Sequence, residues 1–289
     1  MNAIELKNIT KSFRDFVLDD LNLIIPEGSI CGLVGENGAG KSTTIKLLMG
    51  AARPDSGSAR VLGMDSQSAA FRDAKENIGV VMDEAYFPEV LNAIQVGNVM
   101  RGTYLNWDDE KYNYYIKRFD LPEKKQFKTY SRGMRMKLAI AAAMSHHAKL
   151  LILDEATAGL DPIIRDEILE ELRDFARQDD HSILISSHIL SDLEKLCDSI
   201  AFLHKGKLLF HEEKDILLDQ YGIFHGTSEE AAKLPTESIA GQEKSEYGGV
   251  RALILREKAE NIRELERPTI EEIILFMVRG AKEREKINK

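Results

Sequence analysis

The 289-residue sequence has no apolar run near the ~20 residues that a membrane-spanning helix needs. Its longest apolar runs, Leu138–Met144 and Ile273–Val278, have the length of core segments. The first residues lack the apolar segment of a secretory signal, so we expect no such leader. The two cysteines, Cys31 and Cys197, belong to no CxxC pair. This argues against a disulfide scaffold or a zinc site and predicts two buried, reduced thiols.

Basic residues are scarce relative to acidic ones. The chain has 39 Lys and Arg against 48 Asp and Glu, a formal net charge of −9. Non-specific binding of nucleic acid needs a surplus of basic side chains, so we expect no nucleic-acid partner. The composition, 43% hydrophobic and 30% charged, is that of a globular protein with a sizeable core and excludes a disordered chain.

Strands and helices alternate along the first part of the chain, which indicates βαβ units, a parallel sheet and an α/β fold. Residues 84–147 have a mainly helical pattern. The patterns predict strands over Ala3–Leu6, Val17–Ile25, Ser29–Val34, Lys149–Leu153 and Ser182–Ser186, helices over residues 41–49 and Pro162–Gln178, and a hairpin over Ser199–Phe210.

The residue pattern of the sequence changes after about residue 210. This change predicts one domain over residues 1–210 and a second over residues 211–289. The second domain has a hairpin signal at Tyr247-Gly248-Gly249. Thr269 and Glu272 form a capping box at the start of the last helix. That helix carries an apolar stripe and is predicted to end at Gly280, a residue typical of C-caps. The stripe consists of Ile270, Ile273, Ile274 and Met277.

The strongest motif runs from Gly35 to Ser42 and fits GxxxxGK[ST]. Glycines allow backbone N–H groups to surround phosphate oxygens, and the following helix presents its positive N-terminus to them. Lys41 can reach the β- and γ-phosphates, and Ser42 can ligate Mg²⁺. The motif lies between a predicted strand and a predicted helix, which is the context that a phosphate-binding loop requires.

A second motif places two carboxylates after a buried strand. Four apolar residues, 150–153, precede Asp154 and Glu155. Asp154 suits a Mg²⁺-associated acid, and Glu155 suits the group that polarises the attacking water. The two motifs together predict a Mg-ATP or Mg-GTP hydrolase.

Three further segments carry a resemblance to a known family. Ser131 and Gly133 open an Ala-rich helix, Asp161 follows the carboxylates, and His188 ends the segment Ser186-Ser-His188. With the two motifs above, they resemble the nucleotide-binding subunit of an ATP-binding cassette (ABC) transporter over nearly all of residues 2–210. The resemblance implies a P-loop NTPase cassette with a mixed RecA-like core sheet, an antiparallel β subdomain, a helical signature subdomain at about 84–147 and a small α+β C-terminal extension.

The resemblance also implies roles for individual residues. Phe13 would stack on adenine, although core packing is the alternative for this side chain. Ser131, Gly133 and Asp161 would act across a dimer interface, and His188 would contact the γ-phosphate. The implied catalytic residues are Glu155, His188 and Lys41; the implied nucleotide-binding residues are Phe13, Gly35, Asn37, Gly38, Ala39, Gly40, Lys41, Ser42, Thr43, Ser131, Gly133 and Asp161; and the implied metal ligands are Ser42, Asp83 and Asp154.

Two positions depart from the family pattern. Asp83 stands where the family usually has a Gln, and it is either a Mg²⁺-linked sensor or a surface acid. Arg132 stands in the segment with Ser131 and Gly133 that resembles the family's signature sequence, where the family usually has a first glycine. It either adds positive charge near a partner's nucleotide or points to solvent. The adjacent apolar residues Tyr86, Phe87 and Val90 border a groove for a helix of the membrane subunit or pack internally.

The variant sequence around Asp83 and the closing helix resemble the ABC-2 branch of drug and peptide exporters. This resemblance implies ATP and Mg²⁺ as cofactors, a separate membrane permease, a homodimer or heterodimer in the ATP state, and a place on the cytoplasmic face of a bacterial membrane. A non-transport ABC ATPase of DNA repair or translation is the alternative, and the single short cassette disfavours it. A degenerate regulatory module is a second alternative, disfavoured by the intact Lys41, Glu155 and His188.

Overall fold

The computed structural model describes residues 1–83, 87–244, 249–259 and 264–287, with side chains up to residue 280. The chain divides into two compact units, Met1–His211 and Glu212–Lys289. None of the helices in the described ranges combines the length and apolar character that crossing a bilayer requires.

The first ten strands of the chain form two sheets. Their bounds are β1 (Asn2–Ser12), β2 (Val17–Pro26), β3 (Ile30–Val34), β4 (Ser56–Val61), β5 (Met64–Asp65), β6 (Ile78–Val81), β7 (Leu150–Asp154), β8 (Ser182–Ser187), β9 (Ser199–His204) and β10 (Lys207–Glu213). One sheet has the order β2-β1-β4-β5 and is antiparallel. The other has the order β10-β9-β3-β8-β7-β6, and its pairs from β9 to β6 are parallel.

The helices of this unit include those predicted over residues 41–49, 84–147 and Pro162–Gln178, and two that were not predicted, at Phe71–Ala74 and Leu190–Leu196. Their bounds are α1 (Lys41–Leu48), α2 (Phe71–Ala74), α3 (Ala93–Arg101), α4 (Asp109–Arg118), α5 (Arg132–Met144), α6 (Pro162–Ala176) and α7 (Leu190–Leu196), with 3-10 turns at Lys75–Asn77 and Phe127–Thr129. Strands β3, β7 and β8 are buried along their whole length, as expected for a parallel sheet covered on both faces. One buried apolar cluster joins side chains of both sheets and of α1.

Both cysteines are buried and neither forms a disulfide, as the sequence predicts. Burial raises the pKa of the Cys31 thiol to about 12, because a thiolate loses its hydration there. We therefore expect the native chain to show no reaction with Ellman's reagent at pH 8, and two thiols to react after unfolding. Stoichiometric labelling of the native chain would contradict this packing.

The second unit is a small α+β fold. Its elements are α8 (Lys214–Gln220), β11 (Tyr221–Thr227), α9 (Ser228–Ala231), β12 (Ile239–Lys244), β13 (Gly249–Leu255) and α10 (Ile270–Ile287), with 3-10 turns at Thr236–Ser238 and Arg256–Lys258. The strands form an antiparallel sheet of order β11-β13-β12. Strands β12 and β13 pair as a hairpin would require, but most of the predicted turn at Tyr247-Gly248-Gly249 lies outside the described residues.

The start of α10 is confirmed and its predicted end is wrong. The N–H of Glu272 donates to the Thr269 hydroxyl at 3.2 Å, and the N–H of Thr269 donates to the Glu272 carboxylate at 3.0 Å, which is the capping box. The helix then continues through Gly280 to Ile287 instead of ending there. A Cβ at Gly280 would overlap the Ala240 carbonyl of β12, so the glycine is explained by close contact with the sheet and not by a C-cap.

Candidate active site

The parallel strands of the six-stranded sheet end at one edge. The register pairs Val34 of β3 with Ser187 of β8, and Asp154 of β7 with Ser186 of β8. Strand β6 lies beside β7 and ends at the same level. The glycine-rich loop, the two carboxylates and the Ser-Ser-His segment follow these strand ends, so the fold brings the separate motifs together.

Lys41 is held at the base of the glycine-rich loop. Its side chain is 6% exposed, donates to the Gly35 carbonyl oxygen at 2.6 Å and lies 3.1 Å from Oε1 of Glu155. A buried ammonium group requires such partners, because leaving it unpaired costs several kcal/mol. Gly40 precedes the helix with φ of 117°, a conformation that in practice only glycine adopts. The carbonyl of Ala39 accepts the Gly206 N–H at 3.0 Å, which fixes the loop against the β9–β10 turn.

Ser186 organises the two carboxylates, a role that sequence reasoning missed. Its hydroxyl donates to Oδ1 of Asp154 at 2.6 Å and accepts the backbone N–H of Glu155 at 3.1 Å. Glu155 has φ of 51°, an uncommon left-handed conformation for a non-glycine residue that often marks functional sites. The position of Ser186 at the end of a buried strand, two residues before His188, was the only sequence signal for this role.

Glu155 connects Lys41 to His188. Its Oε2 lies 2.6 Å from Nδ1 of His188, and its Oε1 faces Lys41. Because a carboxylate only accepts hydrogen bonds, Nδ1 of His188 carries the proton in this contact. A hydrogen bond donated from Nε2 to a phosphate would therefore require the imidazolium form. The structure thus joins the three predicted catalytic residues by direct polar contacts, with Glu155 in the middle.

A pocket of about 490 Å³ opens over the loop. Asp83 and Glu155 contribute to its wall, together with six loop and helix residues that the sequence predicts: Asn37, Gly38, Gly40, Lys41, Ser42 and Thr43. Phe16 also lines the pocket, whereas the predicted Phe13 is 49% exposed with its ring centroid 6.3 Å from that of Phe16. Sequence reasoning missed Phe16, whose apolar character equally suits core packing.

The three residues predicted to act across a dimer interface lie at helix starts and do not line this pocket. Ser131 caps α5 and accepts the Met134 N–H at 3.2 Å. Asp161 caps α6 and accepts the Ile164 N–H at 3.1 Å. Gly133 is buried, and a Cβ there would approach Ile164 to 2.7 Å. Within one chain these three residues have local structural roles, and an action on a second chain's nucleotide stays a prediction.

The two departures from the family pattern contact each other. Nη2 of Arg132 donates to Oδ1 of Asp83 at 3.0 Å, and both side chains are about half exposed. Neither of the predicted alternatives for Arg132 describes this contact. In the neighbouring segment, the Phe87 ring packs edge-on against Phe127 at 5.7 Å, and Val90 is 64% exposed. Internal packing therefore holds for Phe87, while Tyr86 lies outside the described residues.

The oxygen donors near the loop suit Mg²⁺. The described residues contain no cluster of three or more His, Cys, Asp or Glu that could hold a metal by itself. Mg²⁺ is bound in nucleotide sites by one or two protein oxygens together with phosphates and waters, so an all-protein cage is not required. The Ser42 hydroxyl and the Asp154 carboxylate are such donors.

Comparisons with known proteins agree with this geometry. Residues 18–158 match the family model described as ABC transporter. The chain is 33% identical over 271 residues, covering 91% of this chain and 87% of the other, to an uncharacterised ABC transporter ATP-binding protein, YhcH, of Bacillus subtilis. This chain belongs to the ABC transporter ATP-binding proteins. It is accordingly an ATP-hydrolysing subunit of a transporter, and the predicted fold and activity are confirmed.

Two further ABC proteins show how far the similarity extends. The bacitracin transport ATP-binding protein BcrA of Enterococcus faecalis is 35% identical, covering 72% of this chain and 68% of that protein. A solved ATP-binding subunit of an ABC transporter is 25% identical, with a TM-score of 0.68 over 75% of this chain and 92% of the other. The fold similarity therefore covers most of a second ABC subunit.

Proposed function

We propose that this chain powers the export of peptide antibiotics through a permease on a separate polypeptide, from the cytoplasmic face of the membrane. Residues 1–210 are the ATP-binding cassette and residues 211–289 an accessory domain. The name of the bacitracin relative supports a peptide substrate. The observation that supports ATP turnover as its power source is the set of contacts from Lys41 through Glu155 to His188 beside a pocket of about 490 Å³.

ATP would place its phosphates on the glycine-rich loop and the N-terminus of α1. The backbone N–H groups there have no side-chain cap and suit an anion. Ser42 and Asp154 are the proposed metal ligands, and Asp83 lines the same pocket as Ser42. Bound Mg²⁺ would neutralise charge on the β- and γ-phosphates. Phe16, which lines the pocket, and Phe13 beside it are the proposed residues for stacking on adenine.

Glu155 is the proposed general base. An entering γ-phosphate replaces Glu155 as the counter-charge of Lys41, because both anions compete for one buried ammonium group. The released carboxylate then accepts a proton from the attacking water. His188, held by Glu155 through Nδ1, is placed to orient that water and the γ-phosphate.

Two cassettes would close on two ATP molecules. Ser131 and Gly133 at the start of α5 present a helix N-terminus suited to a partner's γ-phosphate. Asp161 lies at the start of α6, whose Ile164 packs on Gly133, so the two proposed interface segments are neighbours. The proposed partner is a second copy of this chain.

A growth assay tests the exporter role. We expect deletion of the gene to lower the inhibitory concentration of bacitracin-type or lantibiotic peptides by several-fold. A plasmid copy of the wild-type chain restores resistance, and a Glu155→Gln copy does not, because ATP turnover is lost. Lys149→Gln, which changes an exposed residue at the opposite end of β7, restores it fully and serves as the control. Unchanged sensitivity to all such peptides after deletion would overturn the peptide assignment.

A further inference from the structure

The contact between Asp83 and Arg132 joins two distant parts of the cassette. Asp83 follows β6, and Arg132 is the first residue of α5, 49 positions later in the chain. Their side chains are 53% and 54% exposed. An ion pair this exposed contributes less than about 1 kcal/mol to folding, so stability alone gives little reason for it.

Arg132 also lies close to a second segment, the turn at Gly159. Its guanidinium lies over the turn that contains Gly159, where a Cβ would come within 3.3 Å of Cζ and Nη1. Gly159 has φ of 65°, so glycine meets both the backbone conformation and the space that Arg132 leaves there. The turn thus leaves room for the Arg132 guanidinium in the position where it pairs with Asp83.

The charge of Asp83 matters because it lines the same pocket as Lys41 and Glu155. A carboxylate several Å from a polyphosphate repels it, and this repulsion is considerable at the effective dielectric constant near a protein surface. The guanidinium of Arg132 offsets that charge. Where Mg²⁺ accompanies the nucleotide, the same carboxylate attracts the metal instead.

We infer that Arg132 is a positioning residue for Asp83, and that the pair sets how much carboxylate charge the nucleotide and its Mg²⁺ meet at the pocket wall. The inference rests on the proposed nucleotide site. It makes the two departures from the family pattern a matched pair, since Asp83 without its cation would oppose ATP binding. Through this pair, the start of α5 contacts the wall of the pocket that also contains Ser42, a proposed metal ligand.

A double-mutant cycle on the purified full chain tests this pair. ATP binding is measured calorimetrically, once in EDTA and once with excess Mg²⁺, for the wild type, Arg132→Gln, Asp83→Asn and the double variant. We expect Arg132→Gln to raise the Kd for ATP about tenfold in EDTA. With Mg²⁺ the increase is about threefold or less, because the metal offsets the freed carboxylate.

The decisive comparison is the effect of Arg132→Gln when Asp83 is already Asn. There the Kd changes by no more than about twofold, because the charge to be offset is absent. Arg132→Lys retains the cation and stays close to the wild type. The control pair is Lys149→Gln with Asp180→Asn, an ion pair of similar exposure outside the pocket lining, and it shows no coupling in ATP affinity.

Equal effects of Arg132→Gln in both backgrounds overturn the inference and leave the proposed function standing. An increase in Kd for Arg132→Gln that is as large with Mg²⁺ as in EDTA also overturns the inference and leaves the proposed function standing. A wild-type chain that binds no ATP in either buffer overturns the proposed function together with the inference. Thermal unfolding of each variant separates misfolding from the loss of the ion pair, since the exposed pair contributes little to stability.

Discussion

Glu155→Gln is expected to lower steady-state ATP hydrolysis by about two to four orders of magnitude, the contribution typical of a positioned general base. The amide has nearly the same shape but cannot accept the proton of the attacking water. Binding of ATP is retained, because the variant removes a negative charge that competes with phosphate for Lys41. Phosphate release and calorimetric ATP binding, measured on the same preparation, check both halves of this result.

The matched control is Glu27→Gln. Glu27 precedes β3 at the edge of the sheet opposite the pocket, and its carboxylate faces the chain's N-terminal amine at 3.9 Å. Hydrolysis in this variant is expected to equal that of the wild type. If Glu155→Gln hydrolysed ATP at the wild-type rate, the assignment of Glu155 as the base would be wrong.

Gly280→Ala is expected to destabilise the second unit by about 1–3 kcal/mol. Helix α10 crosses β12 with two glycines at the contact. A Cβ at Gly280 would overlap the Ala240 carbonyl, and one at Gly241 would overlap the Phe276 carbonyl. A backbone oxygen cannot avoid the overlap by changing rotamer as a side chain can. The helix and the strand must therefore move apart. Faster hydrogen exchange of the β12 and β13 amides measures the loss.

Leu275→Ala is the control on the same helix. Leu275 is 47% exposed, so its truncation changes stability by less than about 1 kcal/mol. Exchange rates in β12 that are equal for Gly280→Ala and the wild type would contradict the close packing of α10 on the sheet.

The parts of the site that sequence predicts are those where local chemistry dictates residue type. Lys41 and Ser42 follow a glycine loop because a polyphosphate needs close backbone approach, a cation and a hydroxyl. The apolar strands β3, β7 and β8 are recognisable because both faces of a parallel sheet are buried. The start of α10 is equally local, since Thr269 and Glu272 cap each other.

Features that depend on tertiary contacts were either not predicted from the sequence or predicted wrongly. Gly280 follows an apolar stripe, and this local pattern fits a C-cap as well as the close helix–strand contact that the structure has. The pair of Asp83 and Arg132 spans 49 positions and involves two exposed side chains, so no periodicity marks it. Ser186 gains its role from the register of β8 against β7.

The most direct test of the central claim is the composition of the ATP-bound particle. We would load Glu155→Gln with MgATP, measure its mass by light scattering on a sizing column and extract the nucleotide. The account predicts a particle of twice the 32.5 kDa chain mass, with one intact ATP per chain. A particle of single-chain mass, or one that holds ADP, would contradict it.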